Sequence, residues 1–158
     1  MQSSRTFSAV FIALFSIVFL SSCDEDNDLF TIDYSLAEEF LFDTTGAERS
    51  VTDTGVILYQ IENGSGELEV VSRDNILLYY TIRFKPNNAI IESSYANNST
   101  FPLQFNGIAA ASNTKGNGFV EAIIGMKEGE KRVAVIPPTQ SVYSDTVIVD
   151  LELDSILF

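Results

Sequence analysis

The sequence predicts an α+β domain, a twisted antiparallel sheet wrapped around one short helix, from three observations. A period of two runs through residues 75–85 and again through 146–156. A period of 3.6 occurs between them, and turns rich in Gly, Asn and Pro separate the pieces. A single helix set against several half-buried strands belongs to the α+β class.

The first strand begins after Gly55, with Ile57, Tyr59 and Ile61 on one face, and ends at Asn63-Gly64-Ser65-Gly66. The second, 75–85, sets Ile76, Leu78, Tyr80, Ile82 and Phe84 against Tyr79, Thr81, Arg83 and Lys85, so one face is expected in the core and the other in water. Pro86-Asn87-Asn88 closes it. Further strands are expected near 100–105, at 131–136 and at 146–156, where Val147, Val149, Leu151 and Leu153 face inward and Asp150, Glu152 and Asp154 outward. The helix places Phe119, Ala122, Ile123 and Met126 at i, i+3, i+4 and i+7, and Gly125 and Gly129 end it.

Before this domain, expected over 55–158, lie two other segments. Met1 to Arg5 is short and polar with one positive charge, and Phe7 to Leu20 is almost wholly apolar. That is a signal peptide's layout, and the run is shorter than the roughly 20 residues a spanning helix needs. Leu20-Ser21-Ser22-Cys23 resembles the lipobox of bacterial lipoproteins, which implies removal of residues 1–22 and a lipid on Cys23. The alternative is an ordinary secretory signal with a stray thiol. Cys23 is the only cysteine, so no disulfide can form within one chain.

Residues 23–54 read as an acidic tether, a short helix and a linker. Asp24-Glu25-Asp26-Asn27-Asp28 is too polar to bury itself. It resembles an export address for the outer face of the outer membrane, and it reads equally as a solvated spacer. Asp33 to Leu41 places Leu36 and Phe40 one turn apart, suiting a short amphipathic helix, and Thr44 to Thr54 reads as linker.

Composition excludes much chemistry. Without residues 1–22 the chain keeps eight basic against 22 acidic side chains, a formal charge of −14, which argues against nucleic acid as a partner. It has no histidine and its one cysteine is claimed by the lipid, so His/Cys zinc sites, cysteine proteolysis and a Ser-His-Asp triad are excluded. Carboxylates, hydroxyls and pocket shape remain.

The order and spacing of the pieces over 55–157 resemble the FKBP-type peptidyl-prolyl isomerases. Gly55-Val56-Ile57-Leu58-Tyr59-Gln60-Ile61 with Gly64-Ser65-Gly66 is similar to the entry strand and glycine turn, and Leu78-Tyr79-Tyr80-Thr81 to the strand motif ending in tyrosine-threonine. Ile91-Glu92-Ser93-Ser94 stands where the family has phenylalanine, aspartate and two serines. Phe119 to Lys131 resembles the helix and its glycine turn, while Ile136-Pro137-Pro138 and Asp150-Leu151-Glu152-Leu153 resemble the closing strands.

The resemblance implies rotation of X-Pro bonds in exported polypeptides, a reaction needing no nucleophile, metal or cofactor. It implies an apolar cup lined by Tyr80, Phe101 and Phe119, with Phe119 replacing the usual tryptophan floor. Glu92 would replace the pocket aspartate, and Tyr143 would supply a hydroxyl donor if one inserted residue is allowed. Ile91 and Val149 stand where aromatics are common, Lys115-Gly116-Asn117-Gly118 replaces a valine-isoleucine pair before the floor, and the loop at 139–146 is short. A module of this fold that binds peptides or a partner without turnover is the other function these residues allow, and the membrane is a partner through the lipid, at the outer membrane facing periplasm or surface.

Overall fold

The computed structural model describes residues 31–158. The signal peptide, the lipobox with Cys23 and the acidic run at 24–28 lie outside the described residues. Among the described residues seven strands form one antiparallel sheet: β1 Glu48–Val51, β2 Ile57–Glu62, β3 Asn75–Phe84, β4 Ile90–Ser93, β5 Leu103–Phe105, β6 Lys131–Ile136 and β7 Val147–Leu157. Their order is β1-β2-β6-β7-β3-β4, and β5 pairs with β3 beside β4. The outer edge of β3 is thus shared, with β5 along Ile76 to Leu78 and β4 along Thr81 to Arg83.

The alternation expected in the two long strands is present. Ile76, Leu78, Tyr80 and Ile82 of β3 are buried, as are Val147, Val149, Leu151 and Leu153 of β7. The register shifts between Leu77 and Leu78, which pair with Ser155 and Leu153. This bulge inserts one residue in β7, so the inward set changes from odd to even positions and Ile156 joins the core. In β2 the inward residues are the even ones. Val56 is fully buried just before the strand and Leu58 packs on the core, whereas Ile57, Tyr59 and Ile61 are only half-buried. The choice of face follows the pairing with β6, where Leu58 sits opposite buried Ala134.

The helical region is longer than the sequence pattern suggests. A 3-10 turn at Ile108–Ala111 runs into α2, Ser112–Lys115, and α3, Asn117–Ile123, follows after Gly116; α1 is a single turn, Ser35–Glu38. Gly116 has φ +93°, a left-handed value that glycine adopts without strain, and it breaks the helix there. Phe119, Ala122, Ile123 and Met126 are buried in one cluster with the inward residues of β3, β6 and β7. Burying a side chain of Phe119's size contributes roughly 1.5–3 kcal/mol.

The second face of the sheet differs from the water-facing surface expected for it. Thr81 and Asp150 are 1 % and 2 % exposed. They are covered by the segment before Gly55, part of which was expected to be linker. Phe40 stacks on Tyr95 at 4.1 Å and Tyr95 on Tyr79 at 5.5 Å. Phe42 N–H donates to Asp150 Oδ1 at 3.0 Å, and β1 adds an edge strand to β2. The alternation of β3 and β7 is the expected one, but a polar residue on the far face stays wet only where no other segment lies across it.

Candidate functional site

Tyr80 is placed by the centre of β3. Its N–H donates to Ser94 Oγ at 3.0 Å, its carbonyl accepts from Ser94 N–H at 2.9 Å, and Ser93 Oγ also donates to that carbonyl at 3.2 Å. The paired serines after Glu92 therefore lock β4 to β3 and set the position of the Tyr80 ring. Phe119, on the first turn of α3, meets that ring edge-on, with centroids 5.6 Å apart.

The third ring is Phe105, not Phe101. Phe105 lies 5.8 Å from Tyr80 and 5.7 Å from Phe119, closing a triangle of aromatics. Phe101 is 75 % exposed. It precedes β5, in which Leu103 and Gln104 are themselves exposed and only Phe105, paired with Ile76, packs against the core. Phe101 lies two residues before this short strand and Phe105 ends it, so the segment is the expected one and the pairing register decides which ring enters.

Glu92 projects from β4 to the edge of this triangle, where it accepts a short hydrogen bond from the Tyr80 hydroxyl. Burial first, and then the bond to Glu92, drive the Tyr80 phenol far above its ordinary value, so it remains a neutral donor. Tyr143, half-buried from the 139–146 loop, packs edge-on against Phe84 at 6.1 Å. Its phenol is raised by burial first and by the Glu92 charge second. Tyr34 shows the same two causes in the same order, and its hydroxyl donates to the Ile91 carbonyl at 2.8 Å. The segment before the domain thus contributes a residue near the site. Tyr80, Glu92, Phe119 and Tyr143 gather in one region and Phe101 does not.

Lys115 lies across the site, although the sequence pattern assigns it no role. Its Nζ donates to both oxygens of Glu92, at 2.7 and 2.6 Å. It also lies over the Tyr80 ring at 5.2 Å and the Phe119 ring at 5.8 Å. Phe119 is only 1 % exposed and Tyr80 2 %, so the floor is covered. The available signal was the replacement of a valine-isoleucine pair by Lys115-Gly116-Asn117-Gly118. A lysine beside two glycines reads as solvated loop unless a carboxylate is known to face it.

The two glycines explain the placement. A Cβ on Gly116 would lie 2.5 Å from the Gln140 carbonyl oxygen, and one on Gly118 would lie 2.4 Å from Ile136 Cγ2. The short 139–146 loop therefore rests directly on the backbone that carries Lys115. The two departures from the family pattern, a shortened loop and a glycine-bearing substitute before the floor, are parts of one packing arrangement. No group of metal-ligating side chains occurs among the described residues; the site offers a desolvated aromatic surface, one carboxylate and phenol donors, with the Lys115 ammonium lying across them.

Solved structures similar to the chain share its fold. AtFKBP13 matches with a TM-score of 0.58 at 23 % identity, covering 70 % of this chain and 99 % of that one. A peptidyl-prolyl cis-trans isomerase from Pseudomonas syringae pv. tomato matches at 0.55 and 19 % identity, covering 70 % and 81 %. FkpA from Escherichia coli matches at 0.59 and 20 % identity, covering 98 % and 73 %. No curated protein matches the sequence. Residues 66–148, more than half of the chain, match the family described as FKBP-type peptidyl-prolyl cis-trans isomerase. With a sheet, helix and ring cluster to go with that match, the chain belongs to the FKBP-type peptidyl-prolyl cis-trans isomerase family.

Proposed function

We propose that this protein is a peptidyl-prolyl cis-trans isomerase that assists the folding of exported polypeptides, held at the cell envelope, at the outer membrane, by a lipid on Cys23. The observation that carries the catalytic part is the triangle of Tyr80, Phe105 and Phe119 with Glu92 and a phenol donor at its edge. Rotation about an X-Pro bond meets a barrier of about 18–20 kcal/mol set by amide resonance. The planar amide is more polar than the twisted one, so an apolar surface that excludes water favours the twist, and fixed donors hold the flanking carbonyls. No proton transfer or covalent step is required of a chain without histidine.

The test is exchange spectroscopy on short X-Pro peptides with the chain from Asp24 to Phe158. Accelerated exchange supports the isomerase, whereas a folded protein that accelerates no peptide removes it. Anchoring is tested separately. Cys23→Ser should release the protein from membranes or leave an unprocessed precursor, and unchanged size with unchanged partitioning would refute the lipid anchor.

A second reading, a binding module without turnover, is favoured by the covered floor, since Lys115 fills the place a prolyl ring would take. Peptide binding without acceleration would select it.

A further inference from the structure

We propose that Lys115 is the cup's own occupant, and that a prolyl ligand enters only by displacing its ammonium from the Tyr80 and Phe119 rings. This rests on the reading of the ring triangle as the prolyl site. Two aromatic faces and a carboxylate converging on one point form a receptor for an ammonium ion. Lys115 satisfies it, with both Glu92 oxygens within 2.7 Å and both rings within 5.8 Å.

The occupant is held yet removable. The Lys115 side chain is 9 % exposed while that of Glu92 is 37 % exposed, so the carboxylate opens to water on its outer side. A lysine stem has four rotatable bonds, so the ammonium can swing out on the side where the Glu92 side chain meets water. Gly116 and Gly118, pinned under Gln140 and Ser141, keep the backbone of this segment in place. Opening is therefore a rotamer change of one side chain with no movement of the fold.

The consequence is quantitative. When the competent state is a fraction of the population, apparent affinity falls by that fraction, so an occupant present nine-tenths of the time weakens binding about tenfold. The effect falls on KM and leaves kcat alone, since Lys115 has departed once the substrate is bound.

The probe is a tetrapeptide with leucine before proline, titrated into the chain from Asp24 to Phe158 and into its Lys115→Ala variant. Binding is followed through the Phe119 and Tyr80 ring resonances and turnover by exchange spectroscopy. Lys115→Ala should tighten binding, or lower KM, by about tenfold or more with kcat unchanged. Equal or weaker binding by a folded variant overturns the proposal while leaving an active wild type as an isomerase. Tighter binding with no turnover in either protein keeps the proposal and removes the isomerase reading, and binding by neither overturns both.

If the variant does not fold, the wild type decides. Ring currents should displace the Lys115 Cε protons upfield, and saturating peptide should return them to ordinary positions. An unshifted signal, or one that stays shifted at saturation, overturns the proposal.

Discussion

Gly116 and Gln140 stand so close that a Cβ on the glycine would lie 2.5 Å from the glutamine's carbonyl oxygen. The obstacle is backbone, and Gly116 also has φ +93°, so Gly116→Ala meets both a clash and a disfavoured conformation. We expect it to cost about 2 kcal/mol or more, read as a lower urea midpoint, and to loosen Lys115 along with the loop. A midpoint within experimental error of wild type would mean that the loop rests on this segment only lightly.

Exchange of Phe101 for Phe105 in the ring triangle has a direct measure. Phe101→Ala, at a 75 % exposed position, should change stability by no more than about 0.5 kcal/mol. Phe105→Ala removes contacts to two rings and should cost about 2 kcal/mol. The reverse ranking in thermal or urea unfolding would restore Phe101 to the cup.

Phe119→Leu retains an apolar side chain in α3 but removes the flat surface under Lys115 and the contacts to Tyr80 and Phe105. Stability should fall by about 2 kcal/mol, the scale of a modest large-to-small core change plus two lost ring contacts. Turnover of X-Pro peptides should fall more steeply than stability. A measured rate that is unaltered by this substitution would move the catalytic surface elsewhere in the molecule.

The segment before Gly55 should behave as part of the domain. Phe40→Ala removes the stack on Tyr95 and should cost about 1–2 kcal/mol. A chain starting at Gly55 would also lose β1 and uncover Asp150, so it should unfold at clearly lower urea than the chain from Asp24. Equal midpoints would reduce the segment to a tether.

Asp150 has an unusual linkage to pH. Burial first raises its carboxyl above the ordinary 3.8, and the Arg83 bond at 3.1 Å and the Phe42 N–H only partly offset this. A raised acid binds its proton more firmly in the folded state, so its contribution is fully present below 3.8 and is lost as pH rises through the higher folded value. Wild type should therefore lose stability relative to Asp150→Asn as pH climbs out of the acid range. Urea midpoints of both proteins at about pH 3.5 and about pH 7 test it, and a wild type that gains on the variant instead would show that Arg83 outweighs burial.

Elements whose signal is local are legible in the residues alone. Ile76 to Ile82 and Val147 to Leu153 carry their inward faces in a period of two, and Phe119 to Met126 carry theirs at helical spacing, because apolar side chains have one core to enter. The same residues, with the glycine turns, determined the family. Features that depend on contacts far apart in the chain emerge only on folding. Leu58 rather than Ile57 faces inward because it pairs with Ala134. Phe105 rather than Phe101 enters the ring triangle because β5 pairs with β3 in that register. Asp150 is buried because Phe40 and Phe42 arrive from more than 100 residues away. Lys115 looks like a solvated loop lysine until folding sets Glu92, 23 residues distant, against it. Periodicity records which residues avoid water, whereas the partner of a charge or the cover of a polar face is fixed by where other segments come to rest.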